Sequence, residues 1–267
     1  MIIIKIGGGK KMNIAEICSD IKKLVDMGEK IVLVHGASAT RDELAEALHA
    51  PTKTITSPSG VSSVYTNDKA IDIFLMAYAG LVNKRIVAAL QKAGVNAVGL
   101  SGIDGKLWQG KRKKTVYAKE GEKTKLITDS MTGKVEKINT DLINVLLSNG
   151  YIPVLCPPAL SEENDIINTD NDWATAVLAG ELKAEKMVVL FEARGMLKTF
   201  GDESSLIKEI KKTELLSVLE HAQGRMKKKI IGAVEAFRRG LHIMYWGDGR
   251  KEHPIQNTLN GEGMIIS

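Results

Sequence analysis

The chain has 267 residues, of which 44% are hydrophobic and only 4% aromatic, and its 37 Lys+Arg against 32 Asp+Glu leave a net charge of +5. That length suits one large α/β domain or two modest lobes, with a core built from aliphatic side chains. So mild a basicity excludes a histone-like binder and leaves a nucleotide, an acidic small substrate or an acidic protein as partner.

In chain order, "MIIIKI" is a continuous apolar run of strand length, followed directly by "GGGK". Ile14, Ile17, Ile21, Leu24 and Val25 then share one helical face, and Gly28 stands where such a helix stops. "KIVLVHG" predicts a second buried strand, and "SATRDELAEALHA" a helix with Ser38 as its cap. A long helix, "NDKAIDIFLMAYAGLVNKRIVAALQKAG", leads into the strand "VNAVGLSG". Between Lys106 and Asn139 the pattern changes to polar/apolar alternation with Gly turns, which predicts antiparallel hairpins at the surface. Alternation resumes with the helix "TDLINVLLSNG", the strand "YIPVLC" and a loop through Pro157 and Pro158. The helix "DWATAVLAGELKA", strand "KMVVLF", helix "GRMKKKIIGAVEAFRRG", strand "LHIMYWG" and edge strand "GEGMIIS" complete the chain. Strand–helix alternation of this kind predicts a mainly parallel open sheet with helices on both faces, an αβα sandwich carrying a hairpin insertion. A lobe boundary is expected in "PPALSEENDIIN", dividing 1–167 from 168–267 with one sheet running through both. Cys18 and Cys156 read as reduced packing residues, and no apolar run reaches the roughly 20 residues of a membrane span. With no leader-like opening, a cytoplasmic protein without membrane or nucleic-acid partners is expected.

Several stretches are suited to chemistry. In "KIGGGK" the bare backbone at a strand's carboxyl end lets a phosphate approach N–H groups, with Lys5 beside them. The stretch matches neither a Walker A loop nor G-x-G-x-x-G, and a plain turn accounts for it equally well. "VLVHGAS" repeats the design with Gly36 and Ala37, and the two turns are expected to face each other across a crevice. His35 reads as a satisfied strand-end histidine. Asn168, Asp170 and Asp172 precede a helix, either as caps or to orient lysines that reach a phosphate. Lys227, Lys228 and Lys229 sit at a helix start, against the macrodipole preference, which makes a bound anion plausible there. Lys229, ahead of "IIGAV", is expected to point inward. The basic run in "GKRKKTVY" reads first as a solvated face, and otherwise as a docking patch for an acidic partner.

In this order the motifs resemble the amino acid kinase family, and within it the acetylglutamate kinase branch. The first glycine loop, "HGAS", "NKR", "GLSGIDG", "NTDND" and "GRMKKK" span essentially the whole chain. "TSPSG", "PVLCPPALSEENDIINTD", "AQGRMKKKIIGAVEA" and "GDGRKEHPI" are similar to the members of that branch that act on carrier-linked aminoadipate. The resemblance implies the carbamate kinase-like fold, with acceptor binding and dimerisation in 1–167 and ATP binding in 168–267. It implies ATP-dependent phosphorylation of a side-chain carboxylate on an amino acid, aminoadipate or glutamate, linked to an acidic LysW-like carrier protein. Mg²⁺ would be held through ATP phosphates and water, with no dedicated protein ligands. Lys5 and Lys229 would flank the γ-phosphoryl with Asp172 orienting both, and Gly7, Gly8 and Gly36 would offer backbone N–H groups. Ala37, Val64 and Asn168 would meet the acceptor, and Lys111, Arg112, Lys113 and Lys114 would dock the carrier.

The departures all fall on ligand-facing loops. Ala37 replaces a glycine, and an alanine tolerates positive φ less well. Val64 replaces the arginine that grips the acceptor's α-carboxylate, "NDW" replaces G-D-[QR], and "FEARG" replaces S-[DN]-V-[SP]-G. A fold-intact kinase with a diverged acceptor is therefore expected. The competing readings are a kinase of free acetylglutamate and a catalytically weak nucleotide-binding regulator.

Overall fold

The computed structural model describes all residues except 59, 61, 121, 122, 200, 201 and 223, so "TSPSG" and "AQGRMKKKIIGAVEA" each lie partly outside it. Strand β1 (Ile2–Ile6) and strand β2 (Ile31–His35) are buried throughout and pair in parallel, Ile2 beside Ile31 and Ile6 beside His35. Helix α1 (Ile14–Asp26) connects them, its first turn capped by Asn13, whose side chain accepts from the Glu16 N–H. Helix α2 (Ser38–Ala47), the small antiparallel pair β3 (Thr54–Thr56) and β4 (Ser62–Val64), and the long helix α3 (Asp68–Lys92) follow. After β5 (Ala97–Ser101) come β6 (Trp108–Arg112), β7 (Val116–Glu120), β8 (Lys123–Ile127) and β9 (Thr132–Ile138), then helix α4 (Thr140–Ser148). The chain continues through β10 (Ile152–Cys156), β11 (Ala159–Ser161), β12 (Ile166–Thr169), helix α5 (Asn171–Glu181) and β13 (Lys186–Phe191). It closes with β14 (Glu209–Ile210), helix α6 (Leu215–His221), helix α7 (Gly224–Arg238), β15 (Ile243–Asp248), helix α8 (Pro254–Leu259) and β16 (Met264–Ile266).

The main sheet has the order β14-β16-β15-β13-β1-β2-β10-β5 and is parallel except where β16 meets β15. β1 lies between β2 on one side and β13 on the other. Connections therefore leave in opposite directions beside β1, and the crevice beyond such strand ends is where open α/β sheets bind ligands. Alternation along the strands assigns their side chains to two cores. Ile2, Ile4, Ile6, Leu33 and Leu190 pack with α1, the end of α3 and α8. Ile3, Val34, Val189 and Trp246 pack with α4, α5 and α7. Lys5 has the same parity as Ile3, so it points to the α5/α7 side of the sheet.

Three local expectations are corrected. The "PPALSEENDIIN" stretch is not all loop, because β11 and β12 lie within it and join β9 and β6 in a small closed sheet. Its strands pair with the insertion itself, a long-range contact that leaves no periodic mark on so short a run. Ser38 is not the cap of α2; Ala37 occupies that position without a side-chain hydrogen bond, and the Ser38 hydroxyl donates to the Gly8 carbonyl at 3.1 Å. Finally, α3 is long and apolar enough to cross a membrane by length and composition. Its middle, Leu75–Val82, is π-helical, and the buried Asn83 side chain just beyond donates to the Val154 carbonyl and contacts His35 Nε2. Those bonds anchor α3 to the sheet.

Candidate active site

The two glycine turns do not face each other across a gap; they touch. The Gly36 N–H donates to the Ile6 carbonyl, and the Ala39 N–H donates to the Gly8 carbonyl, both at 2.9 Å. A Cβ on Gly8 would lie 2.4 Å from Ser38 N and 2.6 Å from Ala37 N, and one on Gly36 would lie 2.8 Å from Gly8 N. Backbone against backbone at this distance admits no side chain on either residue, which is the reason for glycine at both. Ala37 has φ −149°, so its methyl group carries no left-handed strain, and the concern raised by alanine in place of glycine falls away. Gly7 completes the turn, its N–H on the Leu190 carbonyl at 2.8 Å.

Beside these turns three charged side chains from three elements converge. Lys5, from the end of β1, is only 4% exposed. Asp172 stands in the first turn of α5, where a carboxylate also favours the helix dipole. Lys229 enters from the first turns of α7. Lys5 Nζ donates to Asp172 Oδ1 at 2.5 Å and Lys229 Nζ to the same oxygen at 3.4 Å. Burial opposes ionisation of Asp172, yet the charges of Lys229 and Lys5 outweigh it and hold the carboxyl below its ordinary range. Burial pushes Lys229 down to about 8, against the pull of Asp172 and with the added repulsion of Lys5. The Lys229 ammonium also lies 4.8 Å from the ring centroid of Phe191, the first residue of the altered "FEARG" turn.

The acidic segment before α5 divides its work. Asp170 is the cap, accepting from the Trp173 N–H, and pairs with Lys228 at 3.5 Å. Those carboxylates face the lysines of α7 and offset their unfavourable position at a helix start. Asn168 is on β12, half-buried, its amide donating to Thr66 Oγ1 at 2.9 Å. Asn171 donates to the His35 carbonyl, while its own Oδ1 is buried without a partner among the described residues. His35 is fully buried, with Nδ1 on the Gly36 carbonyl and Nε2 toward the Asn83 amide, and burial lowers it to about 4. It is a neutral structural bridge.

Val64 and the basic run lie away from the three charges. Val64 packs beside Ala37, Phe74, Tyr78 and Cys156 and puts an apolar surface where the resemblance implies a guanidinium. Lys111, Lys113 and Lys114 are exposed on β6 and the turn after it, whereas Arg112 is half-buried and pairs with Asp165 at 3.6 Å. Lys114 pairs with Glu163 at 3.8 Å. Sequence reasoning passed over Glu192 and Arg41. The Glu192 carboxylate lies against Gly9 and accepts from the Lys11 N–H at 2.8 Å, and the changed "FEARG" turn was its only signal. Arg41 lies on the buried side of α2, and an arginine among that helix's charged residues carried no mark of burial.

Comparison with known proteins identifies the family. The model of the amino acid kinase family matches residues 1–244. The [LysW]-aminoadipate kinase of Thermus thermophilus is 46% identical over 268 residues, covering all of both chains. The [LysW]-aminoadipate kinase of Deinococcus radiodurans is also 46% identical, covering all of this chain and 91% of its own. Among solved structures, N-acetylglutamate synthase from Neisseria gonorrhoeae, complexed with coenzyme A and N-acetyl-glutamate, superposes with a TM-score of 0.80 at 26% identity. It covers all of this chain and 59% of its own.

Proposed function

The chain belongs to the amino acid kinase family, a family of phosphotransferases that use ATP, and from that premise we propose that it phosphorylates the side-chain carboxylate of an amino acid carried by a LysW-like protein. The carried amino acid is aminoadipate or glutamate. The observation that carries the chemistry is the Lys5–Asp172–Lys229 group beside two touching glycine turns. The acceptor class comes from the relatives' names. A carboxylate oxygen of the acceptor attacks the γ-phosphorus of ATP, the bond to the β-phosphate oxygen breaks, and an acyl phosphate and ADP result. In our reading Lys5 and Lys229 neutralise charge on the transferring oxygens, and Asp172 holds both ammonium groups in place. The N–H expected from Gly7 and Gly36 is taken by the Leu190 and Ile6 carbonyls, so of the three glycines Gly8 is the one that offers its N–H to the phosphoryl group, while Ala37, Val64 and Asn168 border the acceptor. Little covalent work is asked of the protein; it positions two anions and screens their repulsion. Mg²⁺ enters with the nucleotide phosphates, where it supplies further charge neutralisation. Residues 1–167 serve the acceptor and 168–267 the nucleotide. The exposed apolar side chains of α3, Met76 and Leu81, suit a homodimer contact.

Purified protein with ATP and Mg²⁺, with acyl phosphate trapped as hydroxamate, tests the reading. Product is expected with carrier-linked aminoadipate or glutamate and not with free N-acetylglutamate; the opposite result overturns it. If Lys111, Lys113 and Lys114 dock the acidic carrier, their joint change to glutamate raises KM for the carrier-linked acceptor about tenfold or more with little change in kcat. The same change leaves KM for ATP where it was. A kcat/KM for the acceptor that is insensitive both to that variant and to salt removes the docking role.

The low value for Lys229 sets a pH dependence. The amine loses its charge as pH rises through about 8, so kcat/KM for ATP is expected to decline there. The break in kcat itself lies higher, because bound phosphates favour the ammonium form. A kcat/KM that stays level to the ordinary lysine value, about 10.4, shows that Lys229 does not act as a cation in this step.

A further inference from the structure

A cavity of about 280 Å³ lies between α2, the β3–β4 pair and the start of α3, lined in part by Arg41, Lys53, Val64, Lys69 and Phe74. Among the described residues no acidic side chain lines it. Arg41 is 8% exposed, and its guanidinium carbon lies 5.2 Å from the centroid of the Phe74 ring, which stacks on Tyr78. Its Nε and Nη2 donate to one oxygen of the neighbouring Asp42, at 3.0 and 2.7 Å. That bond occupies one edge of the guanidinium. The other edge, Nη1 with the second Nη2 hydrogen, has no partner among the described residues, and it has the fork geometry that takes a carboxylate bidentately. A guanidinium this desolvated, with only a half-exposed carboxylate for compensation, favours a further anion.

Position supports the same conclusion. Arg41 is three residues beyond Ser38, whose hydroxyl donates to the Gly8 carbonyl, so its Cα is about 4.5 Å along the helix from the phosphoryl-side turn. One rigid helix thus connects the glycine turn and the cavity. Val64, opposite, contributes an apolar wall and no charge.

We propose that this cavity receives the α-carboxylate of the acceptor and that Arg41 clamps it, making Arg41 the residue that demands a second anionic group. The charge missing at Val64 is supplied from α2 instead. The inference rests on the reading that the acceptor is an amino-blocked dicarboxylic amino acid, and it deepens that reading by naming the specificity residue.

The test is calorimetric titration with carrier-linked α-aminoadipate and with the same conjugate bearing an α-carboxamide, in the presence of Mg²⁺ and a non-hydrolysable ATP analogue. Wild-type protein is expected to bind the dicarboxylate about 10- to 100-fold more tightly than the carboxamide. Arg41→Ala is expected to bind the two alike, with the Kd for the ATP analogue unchanged. Arg41→Lys keeps the charge without the fork and is expected to discriminate weakly, which covers the case in which the alanine variant does not fold. No binding of the dicarboxylate to wild type, equal affinities in wild type, or full discrimination surviving in Arg41→Ala or Arg41→Lys overturns the proposal. Hydroxamate formation with the carrier-linked acceptor is scored separately. Product in wild type with discrimination untouched by either variant leaves the kinase reading standing and removes Arg41. Discrimination that depends on Arg41, without product from any acceptor, does the reverse.

Discussion

Replacing Lys229 with alanine is expected to lower kcat for acyl phosphate formation ~10²–10³-fold, the scale of removing one preorganised charge-stabilising group. The transferring phosphoryl group spreads charge over its equatorial oxygens, and among the described residues two buried ammonium groups reach Asp172. With Lys229 gone, Lys5 remains 2.5 Å from Asp172, so the buried carboxylate keeps a partner. The fold should therefore persist, and the loss should appear in kcat more than in KM for the acceptor. Steady-state hydroxamate assays beside a thermal melt check this. A drop smaller than about tenfold with an unchanged melting temperature places Lys229 outside the transition state.

Asp172→Ala is expected to have the larger effect on stability, a loss of about 3–5 kcal/mol, together with a fall in kcat. Lys5 is almost wholly buried and Lys229 is 13% exposed at its side chain, so removing the carboxylate leaves two like charges together in a poorly solvated site. Asp172→Asn keeps the volume and one acceptor oxygen but not the charge, and should be destabilised in the same direction. A pH series separates charge from packing. The folded carboxyl is held below its ordinary value of 3.8, so its contribution is complete above that pH and is lost as pH falls through the folded value. The gap in denaturant stability between wild type and Asp172→Asn should accordingly narrow on acidification. A gap that is constant with pH assigns the effect to packing.

The degree to which the chain was legible differed by element. "MIIIKI" and "KIVLVHG" are apolar at nearly every position because strands buried on both faces have no solvent side to mark, and they lie at the sheet centre. The antiparallel character of the insertion showed in its alternation. The short β11 and β12 did not, because their apolar positions answer to contacts with β6 and β9 that are distant in sequence. Ser38 reads as a cap in any helix-start pattern, yet its hydroxyl goes to Gly8 on the other turn. Lys229 stood out because cations at a helix start need a reason, whereas the need for glycine at Gly8 and Gly36 depends on each other's backbone.

The order of the longer strands and helices, the two glycine turns and the unusual charges at Lys5, Asp172 and Lys229 were determined by the sequence alone. They arise from local causes: side-chain period, backbone freedom and the helix dipole. Only the tertiary structure decided that β1 lies between β2 and β13, which brings a lysine from residue 5 and another from residue 229 onto one carboxylate oxygen. It also decided that Arg41, one charged residue among several along α2, is the one turned inward over Phe74 beside Val64. Burial and proximity are sums over the whole chain, and no local pattern contains them.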